Sequence, residues 1–177
     1  MQNITNNKTT VMALAGLFAA LIAVGSWISV PLGFTPVPVN LATLAVFLAG
    51  GLLGVKYGTA ATAVYTMVGA VGVPVFAGFR GGISVLAGPT GGYIIGYIVA
   101  AFIVGMIVKK DSGIIRIALA MIAGLAACYT LGTVWFIIST GTGFGAAMVA
   151  CVIPFLPGDA LKITAGTILV RKLRKYL

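Results

Sequence analysis

Four stretches of this 177-residue chain, residues 9–55, 57–79, 81–108 and 117–158, contain no Asp, Glu, Lys or Arg. A helix needs roughly 20 apolar residues to cross a hydrocarbon core about 30 Å thick. The first and last stretches are each long enough for two crossings joined by a break. Hydrophobic residues make up 60% of the chain and charged ones 7%, far outside the range of a soluble globular domain. The chain reads as an all-α integral membrane protein that crosses the bilayer several times.

The breaks set the number of spans. Pro31-Leu32-Gly33-Phe34-Thr35-Pro36-Val37-Pro38 cannot continue a helix, because three of its residues lack the amide donor. Lys56-Tyr57-Gly58 separates two apolar runs so closely that they are expected to form a tight antiparallel pair. An irregular segment over residues 74–92 carries Pro74, Pro89 and six glycines, and Ser139-Thr140-Gly141-Thr142-Gly143 marks another turn. Six spans follow, at residues 11–29, 40–55, 59–73, 93–108, 114–138 and 144–173, the last broken at 154–158 by Pro154 and Pro157-Gly158. Residues 1–177 are expected to form a single membrane domain. The first apolar run follows Lys8 as a signal peptide would. It exceeds a typical signal core and further spans follow, so it is read as a retained helix.

Charge placement gives the expected orientation. The chain has eleven Lys and Arg against two Asp and Glu, a net +9. Nine basic residues (Lys8, Lys56, Lys109, Lys110, Arg116, Arg171, Lys172, Arg174 and Lys175) fall at the ends of apolar runs. With both termini in the cytoplasm, all nine lie inside, and the external loops 30–39, 74–92 and 139–143 carry only Arg80. Such a bias in short loops is the positive-inside pattern. It accounts for the net charge better than a nucleic-acid partner does, and the terminal cluster also suits anionic lipid.

Several chemistries are disfavoured. Without any histidine, the usual zinc sites, Ser-His-Asp triads and Cys-His dyads have no place in this chain. Cys128 and Cys151 lie in apolar sequence with no metal-type spacing and read as small free side chains. The glycine-rich segments Gly78-Phe79-Arg80-Gly81-Gly82 and Gly88-Pro89-Thr90-Gly91-Gly92-Tyr93 lack the G-x-x-x-x-G-K-[ST] pattern, so no ATP site is expected. Their use is tight turning and close backbone approach. No internal repeat is visible, which counts against an inverted-repeat transporter.

Two features point to function. Asp159 and Lys162 stand three residues apart in otherwise apolar sequence, on one face of a helix. Pro157-Gly158 just before them suggests a helix start, with backbone donors exposed beside Asp159. The pair is either a packing salt bridge or the polar part of a pocket for a small ligand, and the pocket is the favoured reading. Arg80 is either a solvated loop residue or a clamp for a ligand carboxylate. In the first span, Ala15, Ala19 and Ala23 recur every four residues, with Gly16 and Ala20 alongside. That smooth face serves either internal packing or the docking of a partner subunit.

Four landmarks carry a resemblance over nearly the whole chain. They are Thr35-Pro36-Val37-Pro38-Val39-Asn40-Leu41-Ala42-Thr43-Leu44-Ala45-Val46, Gly69-Ala70-Val71-Gly72-Val73-Pro74-Val75-Phe76-Ala77-Gly78, Gly88-Pro89-Thr90-Gly91-Gly92-Tyr93 and Phe155-Leu156-Pro157-Gly158-Asp159-Ala160-Leu161-Lys162. In this order and topology they resemble BioY, the biotin-specific S component of energy-coupling factor (ECF) vitamin transporters. The resemblance implies a six-helix S-component bundle that binds biotin from outside. A partner module of one coupling membrane subunit and two ATPases hydrolyses the ATP. It implies no enzymatic activity and no cofactor, with biotin as the transported ligand, in a bacterial or archaeal plasma membrane. It also implies that Asp159 and Lys162 contact the ligand, whose ureido N–H donors and carbonyl suit a carboxylate and an ammonium. Arg80 is expected to pair the valerate carboxylate, Asn40, Thr43 and Tyr93 to add polar or stacking contacts, and Phe79 to pack on the ring system. The Ala15, Ala19 and Ala23 face is expected to dock the coupling subunit.

Two other classes compete. A stand-alone secondary transporter or facilitator for a small organic anion, proton-coupled through Asp159, would need no ATPase. An intramembrane enzyme lacks histidine, a second membrane carboxylate and a metal constellation.

Overall fold

The computed structural model describes residues 8–175, which form seven α-helices and one short hairpin. Helix α1 (Lys8–Trp27) leads into strand β1 (Ser29–Val30), which pairs antiparallel with β2 (Val39–Asn40). The proline-rich loop is thereby closed into a hairpin. Helix α2 spans Ala42–Ala70, the short α3 Ile83–Ala87, α4 Gly91–Ile107 and α5 Ile114–Thr140. Helix α6 (Phe144–Cys151), a tight turn at Ile153–Phe155 and α7 (Leu156–Leu173) complete the chain. Four helical segments are long and apolar enough to cross a membrane: Lys8–Trp27, Ala42–Ala70, Ile114–Thr140 and the broken Phe144–Leu173. Gly91–Ile107 is a shorter apolar helix.

The reversal between the second and third expected spans lies at Gly54, not at Lys56-Tyr57-Gly58. Gly54 has φ 72° and ψ −173°, a conformation that only glycine enters readily. The two halves of α2 then fold back on each other. A Cβ at Gly58 would stand 2.6 Å from the Ala49 carbonyl oxygen, so the backbones touch there. With α2 divided, the helices comprise six apolar crossings plus α3. Residues 74–92 are less irregular than expected, because α3 sits within them and α4 begins at Gly91. The sixth crossing does break at Pro154, and α7 restarts at Leu156 with Pro157 in its first turn, where a missing amide donor costs nothing.

Contacts between helix ends sort the charges. Arg174 donates to the carbonyls of Lys109 and Val108, and Arg116 to that of Ile107 (2.8 Å). Gly105 lies against Gly54 and Val55. Lys56, Lys109, Lys110, Arg116 and Arg174 therefore gather at one end of the bundle. At the other end Gly25 meets Leu41 and Ala42, and Trp27 donates its indole N–H to Pro74 (2.8 Å). Arg80 and the β1–β2 hairpin belong to that end. The terminal residues 1–7, 176 and 177, whose cytoplasmic placement the sequence suggests, lie outside the described residues.

Candidate ligand-binding site

Asp159 and Lys162 are the buried charges of the bundle interior, at 4% and 8% exposure. Asp159 is about halfway along the line Phe144–Leu173, because α6 descends from one end and α7 restarts in the middle. The break leaves first-turn amides of α7 without helical partners, and Asp159 stands in that turn, where the helix dipole favours a carboxylate. Lys162 Nζ donates to Asp159 Oδ1 at 2.8 Å. The Tyr129 hydroxyl of α5 donates to the other oxygen, Oδ2. Both carboxylate oxygens are thus held, from two helices.

This pair forms one wall of a cavity with an empty volume of about 710 Å³, counting its open side. Its lining, mostly apolar and aromatic with a few convergent polar groups, has the character of a small-molecule site. Asn40 lines it from β2 and Thr43 from the start of α2, Tyr93 and Tyr97 from α4, Cys151 and Phe155 from the α6 end and the turn after it, and Phe76 and Arg80 from the α2–α3 loop. The walls are built by close backbone approach. Gly132 lies directly against the Tyr93 ring and Gly69 against the Phe76 ring, so each aromatic fills the space a side chain would take. The Tyr93 hydroxyl is hydrogen-bonded to Thr133 (3.0 Å) and donates to the Cys151 carbonyl (3.4 Å). Asn40 Oδ1 accepts the Ala42 amide (3.1 Å), tying the hairpin to α2. Ser26 and Tyr65 share a buried hydroxyl–hydroxyl bond at 2.7 Å on the α1 side.

Six sequence-predicted residues, Asp159, Lys162, Arg80, Asn40, Thr43 and Tyr93, thus line one cavity, although they come from four separate parts of the chain. Phe79 does not join them. It is 64% exposed, has φ 56°, and stacks on Trp27 with centroids 5.2 Å apart, outside the cavity beside its mouth. The Phe76–Arg80 backbone pairing makes a tight turn that sends the Phe79 ring outward while Phe76 goes inward. The Ala15, Ala19 and Ala23 stripe faces inward. Ala19 and Ala23 are buried in the core and Ala15 packs against it, so this stripe seats α1 on the bundle. The neighbouring small residues Gly16 and Ala20 are the exposed ones.

Sequence reasoning missed Tyr65, Tyr97, Tyr129 and Ser26. A signal existed: a tyrosine inside a membrane span needs a partner for its hydroxyl, and four of the six tyrosines lie within or at the start of spans. A carboxylate acceptor, an ammonium and several hydroxyls on an otherwise apolar wall suit a small ligand with both donors and acceptors. The described residues contain no group of three His, Cys, Asp or Glu placed to hold a metal.

Comparison with known proteins gives the family and the fold. The sequence model of the BioY family matches residues 1–177. The biotin transporter BioY of Thermotoga maritima is 42% identical over 162 residues, covering 91% of this chain and 94% of that protein. The probable biotin transporter BioY of Pyrococcus horikoshii is 40% identical over 94% of this chain and 98% of its own length. Among solved structures, the crystal structure of the S-component for biotin from an ECF-type ABC transporter superposes with a TM-score of 0.89. It shares 28% identity, and the match covers 99% of this chain and 95% of that one.

Proposed function

This chain belongs to the BioY family, and on that premise we propose that it is the biotin-binding S component of an ECF-type vitamin uptake transporter. It is a multi-pass protein of the cell membrane and acts as a transport subunit rather than an enzyme. The observation that carries the reading is the buried Asp159–Lys162 pair, held at 2.8 Å in the wall of an aromatic-lined cavity. A mere packing salt bridge has no need of a cavity beside it.

Biotin presents two ureido N–H donors and a carbonyl at one end and a carboxylate at the other. The Asp159 carboxylate accepts from the ureido N–H groups, and Lys162 donates to the ureido carbonyl. Tyr129 fixes the carboxylate from behind. The bicyclic ring lies along the Tyr93 and Tyr97 wall, with Asn40 and Thr43 offering further polar contacts. Arg80, at the loop end, meets the valerate carboxylate with its planar fork. The basic end of the bundle faces the cytoplasm, so the mouth beside Arg80 opens outside. One coupling membrane subunit and two ATPase subunits supply the energy. The exposed Gly16 and Ala20 face of α1 is the surface on which a partner helix can approach closely.

Titration of the purified protein with biotin in detergent tests this. The parent binds one equivalent, while Asp159→Asn and Lys162→Ala each lose about a hundredfold or more in affinity, as expected for breaking a buried charged hydrogen bond. A folded parent that shows no saturable binding of biotin would overturn the reading.

A further inference from the structure

A second hollow adjoins the first at the loop end, with an empty volume of about 740 Å³ counting its open side. Its walls are Trp27, Pro31, Pro36 and Phe79, and its polar groups are Ser29 and Thr35. Pro38, Ala77 and Arg80 line both cavities, so the two adjoin at Arg80. Arg80 is held at that boundary by backbone pairing with Phe76 and by donation from Nε to the Ala77 carbonyl (3.2 Å). Free biotin, with its carboxylate on Arg80, ends where the second hollow begins.

We propose that this hollow is an outer subsite for the tail of an amide conjugate of biotin with an amine such as lysine. The proposal rests on the biotin reading of the inner cavity. Converting the carboxylate to an amide leaves a carbonyl oxygen to accept from Arg80. The substituent on the amide nitrogen then extends past Arg80 toward the adjoining outer hollow. A lysine tail matches that hollow by chemistry. Its four-carbon stem lies against Trp27, Phe79 and the prolines, and its charged end reaches the open, solvated side. The Trp27–Phe79 stack, 5.2 Å between centroids and pinned by the Trp27–Pro74 bond, presents this wall preformed.

Three ligands separate the contributions: biotin, biotin N-methyl amide and ε-N-biotinyl-lysine, each titrated into the parent, Phe79→Gly and Trp27→Leu. Phe79→Gly also removes the side chain from its positive φ, so the turn survives. The lysine conjugate is expected to bind the parent about tenfold tighter than the methyl amide, and both variants should reduce that advantage to about twofold or less. Equal affinities of conjugate and methyl amide for the parent, or an advantage unchanged in both variants, would overturn the outer subsite while biotin still binds. Failure of biotin itself would overturn the inner-site reading and this proposal with it.

Discussion

Each oxygen of Asp159 has its own donor, Lys162 within the helix and Tyr129 from α5. Removing Lys162 alone leaves a buried carboxylate without its cation, which costs about 3–5 kcal/mol of stability. Replacing both charges together, Asp159→Leu with Lys162→Met, removes that penalty. The double variant should melt at or above the parent temperature in detergent yet fail to bind biotin. A double variant that melts far below the parent would mean that the pair is principally structural. Tyr129→Phe keeps the ion pair and loses one carboxylate bond, so biotin affinity should fall roughly tenfold with little change in melting. The two charges were legible in the sequence because every other charge lies at the end of an apolar run or in a loop. Tyr65, Tyr97 and Tyr129 were not, because an aromatic residue in an apolar helix has the pattern of core. Phe79 misled for a related reason: sequence adjacency to Arg80 does not reveal which way a tight turn directs successive side chains.

At the scale of elements, glycine positions control the cavity. Gly54→Ala forces a non-glycine residue into φ 72°, ψ −173°, and should cost roughly 1–3 kcal/mol by thermal unfolding. A smaller loss would mean that the α2 halves can reverse elsewhere, as the sequence reading placed them. Gly132→Ala puts a methyl group into the space of the Tyr93 ring. It should weaken biotin binding through the displaced ring although it touches no ligand, and Gly132→Ala with Tyr93→Leu should recover stability but not affinity. The span count and the last helix break were legible because proline leaves no alternative. The Gly54 reversal was not. Gly50, Gly51 and Gly54 lie in one apolar run with Gly58 just beyond Lys56, and only packing decides which of them leaves the helix. The alanine stripe was legible but its partner was not, because a small residue fits equally well against a neighbour in the same chain or in another. In this structure Ala19 and Ala23 are buried against the bundle.

For the whole molecule, basic residues collect at one end and the ligand cavity opens at the other. This polarity was readable as a count of Lys and Arg, since orientation in a membrane depends on that count rather than on packing. The cavity was not readable, since it is bounded by parts of all seven helices, the hairpin and the connecting loops. If the chain works as an S component, biotin uptake into cells lacking their own transporter requires co-expressed ATPase subunits and survives collapse of the proton gradient. Uptake that disappears with the gradient and ignores the ATPases would instead identify a secondary transporter. The central claim is that biotin lies in this cavity with its ureido ring at the Asp159–Lys162 pair. The structure of the biotin complex tests it most directly. The account predicts the ureido group within hydrogen-bond distance of Asp159 and Lys162 and the carboxylate beside Arg80. Biotin found outside this cavity, or bound with the pair untouched, would contradict it.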